Sequence, residues 1–234
     1  MNDNLSIVLT ATIVPNAIRV EHTDFQRRRE EYLRAIEYYH EFATVYFLEN
    51  SSYDVMADKE FFKYENVHIR KYPISNHYYK GKGYQEFEML DDWFNTEKLL
   101  PARWIKITGR YIVVNFKDIF QDCVNNDLYD LIIEQRISPS KIAHTDVFYV
   151  TSLFYRDHFI GVYQDSDDSR GNYIEHIIRE RIQRTDDFRT FKMMPLISGI
   201  NGSTGEALLI STKKRLKYQI RKMIYIFYKK YRFI

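Results

Sequence analysis

Two short apolar runs separated by a helical segment open the chain, and this arrangement constrains the fold more than any other feature. Residues 6–14 are rich in β-branched side chains and stop at Pro15 and Asn16, which is typical of a buried strand followed by a turn. From 24 to 42 the apolar residues recur at helical spacing, and 44–49 is a second apolar run. Strand, helix and strand in this order predict a βαβ unit with parallel strands and a right-handed crossover.

The same alternation continues along the chain. We predict six further elements, which are strands at 67–73, 104–115, 128–137 and 147–159 and helices at 84–98 and 172–184. No internal repeat and no low-complexity linker interrupts the pattern before residue 205. The sequence therefore predicts an α/β fold, with a mostly parallel sheet flanked by helices in one domain over 1–205, and a C-terminal appendage over 206–234.

The C-terminal appendage has the pattern of a basic amphipathic helix. From Lys213 to Ile234 there are nine basic residues and no acidic ones, whereas residues 1–212 hold 25 basic and 32 acidic residues. Six apolar side chains fall within an arc of about 100° on a helical wheel, namely Leu216, Ile220, Met223, Ile224, Phe227 and Tyr231. The charge contrast favours contact of 213–234 with an anionic membrane surface. The alternative is that the apolar stripe docks on the body while the lysines face water.

Cysteine content and hydropathy restrict the compartment. The single cysteine, Cys123, excludes an intramolecular disulfide and a multi-cysteine zinc site, and we expect it to be a small buried or half-buried residue rather than a nucleophile. There is no long uninterrupted apolar stretch and no basic-then-apolar start, so we expect neither a membrane-spanning helix nor a secretory signal. The expected location is the cytoplasm, peripherally at the inner face of the cell membrane.

Ligands of open α/β sheets bind outside the carboxyl ends of the strands, so the residues there are the first candidates for a site. The segment 80–86, Lys-Gly-Lys-Gly-Tyr-Gln-Glu, directly precedes a predicted helix. Its glycines permit close backbone approach, and Lys80, Lys82 and the helix N-terminus supply positive charge for a phosphate or diphosphate. A solvated loop explains the same residues, and the spacing of a Walker loop is absent.

A glycine and an arginine interrupt the β-branched run at 104–111. Gly109 indicates a bend or a close approach of the backbone to a ligand. Arg110 would there present a guanidinium that holds phosphate oxygens bidentately, the alternative being an ion pair with a surface carboxylate. Lys106 is a weaker candidate, because side chains alternate between the two faces of a strand and the sequence does not decide which face Lys106 takes.

The order of these segments resembles a bacterial glycosyltransferase of the GT-A type, such as those of capsule and lipopolysaccharide O-antigen gene clusters. The resemblance is carried by 7–15, 29–32 with 47–51, 80–86, 105–111, 171–176 and 198–203. It implies a GT-A-like fold, that of nucleotide-diphospho-sugar transferases, and a UDP- or GDP-linked sugar as donor. It also implies transfer of the sugar to a hydroxyl of a glycan or lipid-linked acceptor in surface polysaccharide synthesis.

The resemblance also implies roles for individual residues. It places the donor along the first strands and strand ends, at Thr10, Ala11, Thr12, Glu49, Asn50, Ser51, Lys80, Lys82, Gly83, Lys106, Thr108, Gly109 and Arg110. An inverting transferase needs a carboxylate base for the acceptor hydroxyl, for which Glu175 is the first choice and Asp146 the second. The alternative for Glu175 is an ion pair with Arg179, one helical turn away.

The sequence departs from the family pattern at the strand end after residue 105. Similar enzymes place an Asp-x-Asp motif there, whose carboxylates bind a divalent cation, whereas this chain has Thr108-Gly109-Arg110. We hypothesise that Arg110, with Lys82 or Lys106, replaces the metal, because fixed cations can also neutralise a departing nucleoside diphosphate. No metal ligand is assigned, and Mn²⁺ or Mg²⁺ stays open as a cofactor. Two interpretations of 144–146, His-Thr-Asp, are left open, a displaced metal site and an acceptor contact.

Other acidic residues have simpler interpretations. The run 165–168, Asp-Ser-Asp-Asp, is interpreted as a turn or helix cap rather than a metal site. Asp91 and Asp92 lie in a helical pattern and are expected on a solvated face.

Two other functional classes fit parts of the sequence. A nucleic-acid-binding protein would use the basic segment and exposed aromatic rings, but the acidic body argues against a continuous basic groove, and we expect no nucleic acid partner. A non-catalytic carbohydrate- or nucleotide-binding module would keep the strand-end site and lack a catalytic base.

Overall fold

The computed structural model describes residues 5–136, 141–208, 210–213, 215–217, 219–220 and 223. The strands are β1 (Ser6–Ala11), β2 (Val45–Glu49), β3 (Val67–Lys71), β4 (Arg103–Thr108), β5 (Ile112–Val113), β6 (Leu131–Arg136), β7 (Ile142–Thr151), β8 (Phe188–Arg189) and β9 (Ile197–Ser198). The α-helices are α1 (Phe25–Tyr39), α2 (Lys82–Thr96), α3 (Phe116–Val124), α4 (Ser152–Phe154) and α5 (Ile174–Ile182).

Seven strands form one sheet in the order β3-β2-β1-β4-β7-β6-β8, and β5 pairs with β9 in a small second sheet. Strands β3, β2, β1 and β4 are parallel, and β8 is parallel to β6, whereas β7 runs antiparallel to both of its neighbours. The predicted α/β class, with a mostly parallel sheet and helices on its faces, is confirmed. The predicted βαβ unit corresponds to β1, α1 and β2.

Helices cover both faces of the central strands, which explains why every residue of β1 is buried. Ile7 and Leu9 face a core cluster that includes side chains of α1 and α3. Val8 points the other way, into a cluster formed with α2 and α5. Because β-strand side chains alternate between faces, an uninterrupted apolar run is what a doubly covered strand requires.

The topology also creates a crevice. From β1 the chain adds β2 and β3 on one side, and it then returns to place β4 on the other side of β1. The point where the direction of winding reverses lies between the carboxyl ends of β1 and β4. In open α/β sheets this reversal opens a crevice in which ligands bind.

Two predicted strands were too long. The run 104–115 ends as a strand at Thr108, because the amide of Gly109 turns to the carbonyl of Thr10 at 2.8 Å and the chain restarts as β5. The run 147–159 ends as a strand at Thr151 and continues as α4 and a π-helical turn over Tyr155–Phe159. Helix α3 was not predicted. Short apolar runs fit a strand and a buried helix equally well, and packing decided these cases.

The predicted solvated position of Asp91 is wrong. This α2 residue is buried, and its carboxylate accepts hydrogen bonds from the Tyr155 hydroxyl and the Gly161 amide, both at 2.7 Å. Burial disfavours the charged form and raises the pKa of Asp91 to about 6.

The raised pKa of Asp91 predicts a pH-dependent stability. Between about pH 4 and 6 the folded protein binds more protons than the unfolded chain, so the free energy of unfolding should fall as the pH rises, by up to about 3 kcal/mol. Asp91→Asn should flatten this slope in urea unfolding across that range. Asp157→Asn, at an exposed position, is the control, and equal slopes in the two variants would contradict the prediction.

The C-terminal appendage is only partly described. The described residues from 212 to 223 are helical, and Leu216, Ile220 and Met223 are exposed. The other members of the predicted apolar stripe lie outside the described residues, as does most of 206–234. No helix in the described part of the chain has the length and apolarity needed to cross a membrane.

Candidate functional site

A cleft opens at the carboxyl ends of β1 and β4, at the reversal point of the sheet. The loop after β1, the start of α2, the turn after β4, the middle of β7 and the start of α5 all contribute to its walls. Nine residues predicted from the sequence line it, namely Thr10, Ala11, Thr12, Lys82, Gly83, Thr108, Arg110, Asp146 and Glu175. The fold thus gathers chain segments that are distant in sequence around one space.

Six other predicted residues are not among the side chains that line the cleft, namely Glu49, Asn50, Ser51, Lys80, Lys106 and Gly109. The first three are buried and hold the loop after β1. Asn50 Oδ1 accepts from the Thr12 hydroxyl at 2.7 Å, and Ser51 Oγ accepts from the Val14 amide at 3.0 Å. Lys80 lies 4.5 Å from the centre of the Tyr84 ring. A donor contact for these residues stays a prediction.

Arg110 is held in a fixed position at the cleft. It is 7% exposed, its Nη1 donates to the carbonyl of Ile200, and its guanidinium carbon lies 5.1 Å from the centre of the Tyr111 ring. Gly202 leaves room for it, since a Cβ there would lie 2.5 Å from Nη2. Arg110 forms no ion pair with a carboxylate of the described residues, so the predicted surface pairing does not account for it.

Gly109 explains how this arginine reaches the cleft. A Cβ at Gly109 would lie 2.8 Å from the carbonyl oxygen of Thr10, which is closer than real Cβ atoms come. Any larger residue would therefore push the turn away from β1. The glycine lets the chain bend away from β4 against the end of β1, which fits the predicted bend, whereas the predicted approach to a ligand stays a prediction.

Arg28 is a second buried guanidinium on the cleft wall that the sequence analysis missed. Its Nε donates to the carbonyl of Thr12 at 3.0 Å, and its Nη1 donates to the carbonyl of His22 at 3.0 Å. Its neighbour Arg29 points elsewhere, to Asp58. Arg28 stands in a run of three arginines on an amphipathic helix, and the only local signal was its position one turn before the buried Tyr32.

At the cleft an ion pair joins the buried Lys106 to Glu86, whose partly exposed side chain lines the cleft. Lys106 is fully buried, and its Nζ lies 2.6 Å from Glu86 Oε1 and donates to the carbonyl of Thr145 at 2.8 Å. Glu86 Oε1 also accepts from the Thr10 hydroxyl at 2.5 Å. The ammonium group is therefore neutralised within the protein, and Arg110 and Lys82 are better placed to face a ligand.

Removing one partner of this ion pair should lower the free energy of unfolding more than removing both partners. In Lys106→Met the Glu86 carboxylate loses its counterion, and we expect a loss of about 3 kcal/mol in the free energy of unfolding. The double variant Lys106→Met with Glu86→Gln should recover most of that loss, since no uncompensated charge remains. Urea unfolding of the two single variants and the double variant measures this coupling, and strictly additive losses would contradict it.

Two further carboxylates, besides that of Glu86, line the cleft. Glu175 lies in the first turn of α5, and Asp146 lies in the middle of β7. Burial raises the pKa of Glu175, and the nearby Asp146 raises it further while Lys82 lowers it. Within the described structure Glu175 forms no ion pair with Arg179, so the alternative drawn from helical spacing does not hold. The side chain lines the cleft, and its predicted role as a base stays a prediction.

The described residues hold no group of three or more His, Cys, Asp or Glu side chains that could bind a metal ion. Cys123 is fully buried, as predicted.

No protein-family model and no curated protein matches this chain. Three solved structures resemble it in part. The 4-diphosphocytidyl-2C-methyl-D-erythritol synthase of Anaerococcus prevotii has 11% identity and a TM-score of 0.46, with 92% of this chain and 96% of that chain covered. A candidate nucleotide-diphospho-sugar transferase of Desulfovibrio desulfuricans has 9% identity and a TM-score of 0.48, with 81% of this chain and 80% of that chain covered. The glycosyltransferase GlyE of Streptococcus pneumoniae has 8% identity and a TM-score of 0.46, with 81% of this chain but 45% of that chain covered.

Proposed function

We propose that the protein is a glycosyltransferase that moves a sugar from a UDP- or GDP-linked donor to a hydroxyl of a glycan or lipid-linked acceptor in bacterial surface polysaccharide synthesis. One observation carries the proposal. The fixed guanidinium of Arg110 and the exposed ammonium group of Lys82 share a cleft with the carboxylates Glu175 and Asp146 at the reversal point between β1 and β4. A diphosphate needs the cations, and an acceptor hydroxyl needs a base.

In the proposed reaction the donor diphosphate lies against Arg110 and Lys82. As the bond between the anomeric carbon and the phosphate oxygen breaks, these cations stabilise the charge that builds on the departing nucleoside diphosphate. Glu175 takes the proton of the acceptor hydroxyl while that oxygen bonds to the anomeric carbon. Asp146 is the second candidate for the base. Arg110 thereby takes the place that an Asp-x-Asp-bound cation has in similar enzymes.

The backbone of 10–12 forms the part of the cleft wall proposed to lie beside the nucleoside. Asn50 supports this loop from beneath through the Thr12 hydroxyl, and Arg28 supports it through the Thr12 carbonyl. A wall fixed from both sides costs little entropy when a ligand binds.

Thermal unfolding with UDP, GDP, UDP-glucose or GDP-mannose tests donor binding. A ligand at one hundred times its dissociation constant should stabilise the folded state by about 2.7 kcal/mol, and we expect at least one of these to raise the midpoint, with or without EDTA. Loss of the effect in EDTA would contradict a metal-independent site. Absence of any response would overturn the proposal, and stabilisation without turnover on any glycan would favour a non-catalytic binding module.

We further propose that residues 213–234 attach the enzyme to an anionic bilayer at the inner face of the cell membrane. The exposed side chains of Leu216, Ile220 and Met223 and the nine basic residues of this segment support the proposal. The full chain should sediment with phosphatidylglycerol vesicles and not with phosphatidylcholine vesicles. Undiminished sedimentation after deletion of 213–234 would reject this attachment.

A further inference from the structure

A second cavity adjoins the cleft and shares three lining residues with it, Lys82, Gly83 and Glu175. The rest of its lining includes Arg19, Asp168, Tyr173 and His176. Glu175 therefore stands between two spaces, only one of which is needed for the proposed donor. A two-substrate reaction requires that the second substrate reach the base from another side.

Asp168 is a buried carboxylate in this cavity. It is 8% exposed, and in the part of the chain that the structure describes no donor forms a hydrogen bond with its carboxylate and no cation pairs with it. Burial raises its pKa, while Lys82 and Arg19 lower it from a distance. A carboxylate that faces a cavity and has no protein donor is free to accept hydrogen bonds from a ligand there.

The fold makes specific room for this carboxylate. Asp168 packs directly on Gly81, where a Cβ would lie 2.1 Å from its Oδ2, and Gly81 has a φ of +97°. A larger residue at position 81 would displace the carboxylate and would also be strained. The sequence thus seats an unpaired acid against the cavity wall at the start of α2.

An aromatic ring forms the neighbouring wall. Tyr173, at the N-terminal boundary of α5, is 38% exposed, and its hydroxyl accepts a hydrogen bond from Arg19 Nη1 at 3.1 Å. Arg19 has a φ of +58°, which is unusual for a residue other than glycine. Strained backbone of this kind persists where the surrounding structure holds it, and it clusters at ligand sites.

Two further tyrosines lie beside the same wall. Tyr78 and Tyr79 are about half exposed, and the carbonyl of Tyr78 accepts from the amide of Ile18 at 3.3 Å, next to Arg19. The short helical turn over Tyr78–Lys80 also contacts the turn over Asp168–Arg170. Exposed aromatic rings grouped beside a cavity mark an interaction site rather than ordinary surface.

We propose that this second cavity binds a sugar unit of the acceptor, so that the acceptor is a glycan. The inference rests on the proposed function and extends it to the second substrate. The apolar face of a pyranose ring packs on an aromatic ring such as Tyr173, and the Asp168 carboxylate accepts hydrogen bonds from two adjacent hydroxyls. The acceptor hydroxyl that faces Glu175 gives up its proton to the Glu175 carboxylate, and the hydroxyl oxygen bonds to the anomeric carbon of the donor sugar. The electrons of the broken sugar–phosphate bond leave with the nucleoside diphosphate.

Saturation-transfer NMR with the methyl α- and β-glycosides of glucose, galactose and N-acetylglucosamine tests the inference, with and without UDP. We expect the wild type to bind at least one glycoside, and Asp168→Asn and Tyr173→Ala to bind it about tenfold or more weakly, which corresponds to the loss of a hydrogen-bonded or stacked contact. Tyr173→Phe, which keeps the ring, should retain most of the binding. Phe62→Ala removes a similarly exposed aromatic ring far along the chain and should behave as wild type.

Thermal unfolding in the presence of UDP and GDP is measured on every variant. An unchanged nucleotide response in Asp168→Asn and Tyr173→Ala shows that the variants are folded and that the donor cleft is intact. Failure of every glycoside to bind the wild type, or equal binding by the wild type and Asp168→Asn, overturns the inference. A missing response of the wild type to nucleotides overturns the proposed transferase instead, and the two failures are therefore distinguishable.

Discussion

Glu175→Gln is expected to lower the rate of sugar transfer by about 10²- to 10⁴-fold, the usual contribution of a positioned general base. Glutamine keeps the size of the side chain and removes its ability to take a proton. Glu175 lines both the donor cleft and the adjoining cavity, so its loss should affect the chemical step more than nucleotide binding. Release of UDP or GDP from the donor in the presence of acceptor measures the rate, and thermal unfolding measures nucleotide binding.

The pH dependence gives a separate test of Glu175. Only the deprotonated carboxylate can act as the base, so the transfer rate should rise with pH through its pKa. Burial and the nearby Asp146 raise that pKa above the ordinary glutamate value of about 4.3. Glu175→Gln should lose this rising limb, whereas Glu180→Gln, at an exposed position of the same helix, should keep it. If the transfer rate of Glu175→Gln still rose with pH, a group other than Glu175 would have to be the base.

The sheet could be predicted from the sequence because its central strands are buried on both faces. A run such as that of β1, buried at every position, fits a doubly covered parallel strand best when a helical segment and a second apolar run follow it. The antiparallel direction of β7 could not be predicted, because a strand carries no local signal of the direction of its partner. Only five residues separate the end of β6 at Arg136 from the start of β7 at Ile142, too few for a parallel crossover, but the predicted strand boundaries at 137 and 147 made this connection longer than it is.

The candidate site was predictable in part for a related reason. Gly109 and Arg110 break a β-branched run, and this break can be recognised within a single segment of the sequence. Arg28 and Asp168 gave no such signal. The sequence interpretation of 165–168 as a turn or cap suits Asp167, whose carboxylate accepts from the Ser169 amide at 3.0 Å. The burial of Asp168 depends on Gly81, and contacts between distant segments are set by packing rather than by local pattern.

Arg110→Ala is expected to lower the transfer rate by about 10²- to 10³-fold, the usual effect of removing one preorganised group that stabilises charge in the transition state. The guanidinium is fixed by the Ile200 carbonyl and by the Tyr111 ring before any ligand binds. Arg110→Lys keeps the charge but not the planar fork, so it should recover only part of the rate. The stabilising effect of UDP or GDP in thermal unfolding should also fall in both variants.

Chemical rescue separates the proposed charge stabilisation by Arg110 from a structural role. If the guanidinium acts on the departing diphosphate, added ethylguanidinium should restore part of the activity of Arg110→Ala and little of that of Arg110→Lys, where the ammonium group occupies the space. Arg156→Ala removes an equal charge at an exposed position and should keep both its rate and its nucleotide response. Full activity of Arg110→Ala would mean that the charge on the leaving group is neutralised elsewhere, and the cations left in the cleft to test would then be Lys82 and Arg28.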